Sequence, residues 1–152
     1  MPAVITAERP DSPDAKLLID ELQTHLESFY PPASRHGFSV EKLLAENVPF
    51  YVLRTENESA GCGGIKLVDR AYGELKRMYV RPQFRGAGFG QLLLNHLAGH
   101  ARAHGVTVLR LETGIHQHAA IRLYERAGFN RISPFGPYTD DPLSLCYEKH
   151  LA

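Results

Sequence analysis

At 152 residues, with 17 basic against 17 acidic side chains, the chain has room for one domain with a real core and lacks the basic balance of a nucleic-acid-binding surface. No apolar run approaches about 18 residues and no charged n-region precedes an apolar stretch, so a soluble, cytoplasmic protein with no membrane partner is expected. Its two cysteines, Cys62 and Cys146, form neither a metal spacing nor a disulfide framework, and reduced thiols are expected.

In chain order, residues 3–7 read as a first strand. Ser12 or Asp14 can cap a helix over 13–29, with Leu17, Leu18, Leu22, Leu26 and Phe29 on its apolar face, and Tyr30-Pro31-Pro32 stops it. Ser39 caps a short helix that ends near residue 45. Residues 50–55 and 61–68 read as a hairpin around Glu56-Asn57-Glu58-Ser59. A strand over 72–80 follows, then a helix over 88–104, a strand over 106–112, a helix over 118–127, a strand over 128–132 and a last strand over 143–149. Nothing divides the chain, so 1–152 reads as a single domain. The order, antiparallel first and βαβα later, predicts an α/β (mixed α+β) layer fold with a mixed sheet.

The most informative stretch joins the 72–80 strand to the next helix: Val80-Arg81-Pro82-Gln83-Phe84-Arg85-Gly86-Ala87-Gly88-Phe89-Gly90. Glycines at 86, 88 and 90 let the backbone approach a ligand, and the helix start offers unpaired N–H groups and a positive dipole end. Arg85 adds a charge suited to phosphate. The loop is therefore an anion cradle over Arg85, Gly86, Ala87, Gly88, Phe89 and Gly90. It lacks the lysine of a P-loop, and its third glycine comes one residue too early for a dinucleotide fingerprint.

What fits is Gln83-Phe84-Arg85-Gly86-Ala87-Gly88, which resembles the acetyl-CoA loop of the GNAT acetyltransferase superfamily. Downstream, Gln117-His118-Ala119-Ala120-Ile121-Arg122-Leu123-Tyr124-Glu125-Arg126-Ala127-Gly128-Phe129 resembles the second signature of that superfamily, with Gln117 where Asn is more usual. The resemblance covers roughly residues 48–149. It implies a sheet of about six to seven strands, mostly antiparallel, flanked by about four helices, with the fourth and fifth strands splayed around acetyl-CoA. It further implies acetyl-CoA as co-substrate with no metal, and a small-molecule amine as acceptor; a homodimer is compatible with it.

Amide formation from a thioester needs a neutral amine, yet an ammonium has a pKa near about 10.4, so a general base is expected. Glu74 is the expected base, by its charged strand Glu74-Leu75-Lys76-Arg77-Met78-Tyr79-Val80 and by resemblance; a plain ion pair with Lys76 or Arg77 is the alternative. By resemblance, Tyr124 points at the coenzyme sulfur as acid, the backbone of Met78, Tyr79 and Val80 runs along the pantetheine arm, and Gln117 lies near the coenzyme. The same resemblance implies that two loops, with Phe29 and Tyr30 in one and Phe135, Tyr138, Asp140 and Asp141 in the other, wall the amine pocket, and aromatics beside the two aspartates would suit a cationic amine. His96, His100 and His104 share one helix face without a carboxylate or thiolate, which favours a solvated edge over zinc. Cys62 reads as a small buried residue rather than a nucleophile. The leading reading is an N-acetyltransferase acting by direct attack in a ternary complex; the alternative is a non-catalytic acetyl-CoA-binding sensor.

Overall fold

The computed structural model describes residues 2–152. The chain runs β1 (Val4–Ala7), α1 (Pro13–Glu27), α2 (Val40–Ala45), β2 (Phe50–Thr55), β3 (Glu58–Val68), β4 (Tyr72–Val80), α3 (Phe89–Ala103), β5 (Val108–Gly114), α4 (His118–Arg126), β6 (Asn130–Ile132) and β7 (Ser144–His150). Seven strands make one sheet in the order β1-β2-β3-β4-β5-β7-β6, antiparallel throughout except where β4 meets β5. This is the mixed, mostly antiparallel sheet with four helices that the sequence predicts.

The Ser12 hydroxyl oxygen accepts the Ala15 N–H and Pro13 opens the first turn of α1, where a missing N–H leaves nothing unpaired. Ala15, Leu18, Ile19 and Leu22 follow at helical spacing and bury against Val52, Cys62 and Tyr79 on one face of the sheet. Leu17, expected on that stripe, is 45 % exposed, because it stands about 100° round the helix from Leu18. On the opposite face α3 buries Leu94, Leu97, Ala98 and Ala101 against Ile65, Leu75, Leu109 and Leu111, and α4 adds Tyr124. Each such leucine, cut to alanine, costs about 2–5 kcal/mol.

What positions the site is a parting of strands. β4 and β5 pair only at Gly73–Leu109 and Glu74–Arg110; beyond, β4 follows β3 as far as Gly61–Val80 and β5 follows β7 as far as Gly114–Ser144. The edge of β4 from Leu75 to Val80 therefore faces an opening rather than a neighbour. A bulge lies in that half: the β3–β4 register shifts between Cys62 and Gly64, and Arg77 sits at φ 54°. Three alternate side chains hold it to α1. The Arg77 guanidinium donates to Gln23 at 2.7 Å, the Tyr79 hydroxyl to Glu21 at 3.2 Å, and Arg81 grips Glu21 with both Nε (3.0 Å) and Nη2 (2.7 Å).

At the far edge of the sheet, Arg54 of β2 pairs with Glu8 and, at 2.7 Å, with Asp14. Its hydrogen bond holds the Glu8 carboxyl down at about 2, below the ordinary 4.5. A depressed carboxylate stabilises the fold above its unfolded value, and that contribution is lost as pH falls through the folded one. The melting temperature of wild type should thus exceed that of Glu8→Gln by a constant margin above about pH 5, and the two should converge toward pH 2. Thermal melts across that range check it; a gap unchanged at pH 2 would show that Arg54 contributes by packing alone.

Candidate active site

The glycine loop forms the wall of the opening nearest α3. Gly86 and Gly88 take φ of +85° and +84°, and Gly88 is the N-cap of α3 in a left-handed conformation with no side-chain cap. Nothing lies within 4 Å of a Cβ built on either residue, so the space over them is open to a ligand. The first N–H groups of α3 point out beside them without a capping side chain, and the exposed Arg85 donates from Nε to the Val80 carbonyl at 2.9 Å. Gly90 has a different duty. A Cβ there would meet Leu123 at 2.7 Å, so this glycine lets α3 and α4 close on each other. Phe89 is buried against Phe84, and Ala87 is exposed. These features suit a pyrophosphate, with the open edge of β4 leading from it into the cleft.

At the inner end stands a triad of two buried charges and a half-buried phenol. Glu74 (4 % exposed) and Lys76 (5 %) project from β4 on the α1 side, with Lys76 Nζ 2.8 Å from Glu74 Oε2. The Tyr138 hydroxyl donates to the same Oε2 and accepts from Lys76 at 2.8 Å. Both contacts fall on one oxygen, which leaves Oε1 of Glu74 without a partner among the described residues. Burial lowers the proton affinity of Lys76, and the Phe38 ring lies 4.0 Å from its ammonium. The near-neighbour pair with Lys76 is thus present, and Tyr138 joins it.

Across the opening, on β5, lies a carboxylate that the sequence did not single out. Glu112 accepts the Ser144 hydroxyl at 2.7 Å and makes no ion pair among the described residues. Burial raises its proton affinity, opposed by Ser144 and by the nearby His36 and Lys76. Its charge also reaches Tyr30, Tyr124 and Tyr138, which puts it amid the cleft's phenols. The predicted strand ended at residue 112, whereas β5 runs on to Gly114; an alternating Arg110-Leu111-Glu112 in a strand with a polar inner face was the available signal.

The remaining residues divide. Tyr124 is buried in the core beside Phe129, and burial and then Glu112 push its phenol well above its ordinary value, so it stays protonated at working pH. Met78 and Val80 turn toward the α3 side and Tyr79 toward α1, so what this stretch offers the opening is backbone. Tyr30 ties two regions together: its hydroxyl accepts the His116 N–H at 2.9 Å and donates to Gln117 at 3.2 Å. Phe29, 47 % exposed, packs in tilted contact with His25 and His116. Phe135 is buried against Tyr72 and Tyr138. Asp140 is exposed, while Asp141 accepts the Leu143 N–H at 2.9 Å and stands 3.8 Å from His36.

Two other expectations can be placed. His100 Nδ1 meets the Tyr51 hydroxyl at 2.8 Å and its ring stacks on His104, and among the described residues no three His, Cys, Asp or Glu side chains are placed to hold a metal. Cys62 is fully buried with its thiol pushed far up by burial, donating weakly to the Arg77 carbonyl at 3.4 Å. A thiol so held is inert. Among the described residues no helix is long and apolar enough to cross a membrane.

A family model for the acetyltransferase (GNAT) family matches residues 18–129, which include the parted strands, the glycine loop and α4. The chain belongs to the GNAT acetyltransferase family. It is 42 % identical over 153 aligned positions to an IAA acetyltransferase of Azospirillum brasilense, covering 99 % of this chain and 100 % of that one. A solved structure of a candidate acyl-CoA N-acyltransferase from Klebsiella pneumoniae matches with TM-score 0.84 at 38 % identity, over 99 % of this chain and 98 % of the other. The fold is shared too by the PaiA N-acetyltransferase of Thermoplasma acidophilum, solved in complex with coenzyme A (TM-score 0.76, 20 % identity, 99 % of both chains). The protein is accordingly a GNAT N-acetyltransferase, of a fold that binds acetyl-CoA, and its relatives' names describe enzymes rather than sensors.

Proposed function

We propose that this N-acetyltransferase moves an acetyl group from acetyl-CoA to the primary amine of a small cationic acceptor, by direct attack while both are bound. The observation that carries the acceptor reading is Glu112, the cleft carboxylate with no ion pair among the described residues. Glu74 is neutralised by Lys76, and Asp141 is engaged by Leu143 and His36, so Glu112 is the charge within the cleft left for an ammonium. The loop aspartates first expected to do this serve it less well, since Asp140 lies exposed and Asp141 is occupied.

Acetyl-CoA supplies an acyl group on a good leaving thiol. Gly86, Gly88 and the first turn of α3 hold its pyrophosphate, and the free edge of Met78 to Val80 offers N–H donors along the pantetheine arm and toward the acyl oxygen. Glu112 holds the acceptor's ammonium and takes its proton, because a half-buried carboxylate with no ion pair among the described residues is a stronger base than one gripped by a lysine. Tyr124, kept protonated, offers its hydroxyl as a hydrogen bond to the departing thiolate. Gln117, tethered by Tyr30, sets the turn before α4. A second reading keeps Glu74 as base through its free Oε1, as its place in the sequence suggests.

The coenzyme reading is tested by calorimetry of acetyl-CoA against wild type and Gly88→Asp. The aspartate would force a non-glycine residue to φ +84° and set a like charge beside the pyrophosphate, and binding should weaken by several kcal/mol, about that of a lost charge-assisted contact plus repulsion. Equal affinities would remove the loop from the site.

A further inference from the structure

Arg77 presents a combination the reaction scheme leaves unused. It is the bulged residue of β4, held at φ 54° and only 8 % exposed, and its guanidinium has no carboxylate partner among the described residues. Nε donates to the Phe38 carbonyl at 2.8 Å and Nη2 to Gln23 at 2.7 Å, while Nη1 is buried with no partner among the described residues. Gly37 lies flat on it: a Cβ there would stand 2.6 Å from the guanidinium carbon. Burial lowers its proton affinity, yet an arginine keeps its charge. A buried cation held only by neutral acceptors is a costly arrangement for mere stability, where an apolar side chain would pack more cheaply.

The three partners show what the arrangement achieves. The residue's own backbone makes the bulge at the free edge of β4, its side chain reaches α1 through Gln23, and it fixes the loop before α2 through Phe38. The Phe38 ring in turn lies over Lys76, which holds Glu74. We propose that Arg77 is a positioning residue that couples the coenzyme edge of β4 to the Glu74–Lys76–Tyr138 cluster at the inner end of the cleft, so that the acyl group and the amine meet in register. The inference rests on the reading of the cleft given under the proposed function. Loss of the guanidinium leaves the glycine loop intact, so coenzyme affinity is retained while the acceptor side loses its registration.

The test compares wild type, Arg77→Met, Arg77→Lys and the milder Gln23→Leu, using whichever of putrescine, spermidine, lysine amide and an alanyl peptide wild type turns over fastest. In Arg77→Met, kcat/KM for the amine should fall about 10–100-fold, the range that a misplacement of about 1 Å produces, with acetyl-CoA affinity by calorimetry unchanged. Lysine should rescue poorly, since it cannot reproduce the two-armed contact. Millimolar methylguanidine should restore turnover to Arg77→Met and do nothing for wild type, a response that lost stability alone would not give. Gln23→Leu should show the same split more weakly, and it carries the test if Arg77→Met does not fold. Equal kcat/KM per folded molecule in Arg77→Met, or in Gln23→Leu when it stands alone, overturns the proposal. A wild type that binds no acetyl-CoA overturns the reading beneath it as well, so the two failures are distinguishable.

Discussion

Glu112→Gln should lower kcat/KM for the amine by about 10²–10⁴-fold at neutral pH, the usual weight of a general base. The loss should shrink as pH rises toward about 10, where free amine accumulates without help. In wild type the rate should fall on the acid side as Glu112 takes up a proton, at a pH above the ordinary carboxylate range because burial raises its affinity. That limb should vanish in the variant. Stability should move the other way. A carboxyl whose folded pKa is raised favours the fold below its unfolded value of 4.5, and that advantage is lost as pH rises through the folded value. The glutamine variant should gain in melting temperature relative to wild type as pH increases. If instead Glu74→Gln shows the large, pH-recoverable loss and Glu112→Gln changes only KM, the second reading of the base is the right one.

Glu74→Ala should be the most destabilising change in the cleft. It leaves the ammonium of Lys76, a residue 5 % exposed, facing a phenol and the Phe38 ring. Breaking a buried pair from one side costs about 3–5 kcal/mol, which for a domain of this size lowers the melting temperature by on the order of 10 °C. Removing both charges together, as Glu74→Met with Lys76→Met, should recover most of that loss, since a matched apolar pair needs no desolvation. Thermal melts of the single and double variants settle it. A double variant as unstable as Glu74→Ala would mean that the pair contributes directly and that Tyr138 depends on it. The result also bears on kinetics: activity of any Glu74 variant must be divided by its folded fraction before a role in proton transfer is assigned.

Local signals carried most of the fold. Capping serines at 12 and 39, the proline stop after α1, and the leucine spacing of α3 each act within a few residues, and the elements lie where those signals put them. Leu17 and the end of β5 deviated because a one-residue rotation or a two-residue extension is decided by packing across the sheet. The glycine loop was legible for the same local reason, but not the division of labour within it. That Gly86 and Gly88 open to solvent while Gly90 receives Leu123 depends on a helix some 30 residues on. The acceptor side was least legible. Tyr138 meets Lys76 and Glu74 across 62 and 64 residues, and no spacing rule reaches so far. Charge beside the rings of Phe135 and Tyr138 made Asp140 and Asp141 look suitable; that Glu112 lies in the cleft with no ion pair among the described residues is set by tertiary contacts.

The measurement that bears most directly on the central claim is release of free thiol from acetyl-CoA by wild type and Glu112→Gln, with mass detection of product, across putrescine, spermidine, lysine amide, alanyl peptide and neutral hydroxylated compounds. Catalysed acetylation of at least one small cationic amine, strongly reduced in Glu112→Gln while calorimetry shows acetyl-CoA still bound, is the predicted result. Turnover confined to uncharged acceptors, or equal in the two proteins, would contradict it.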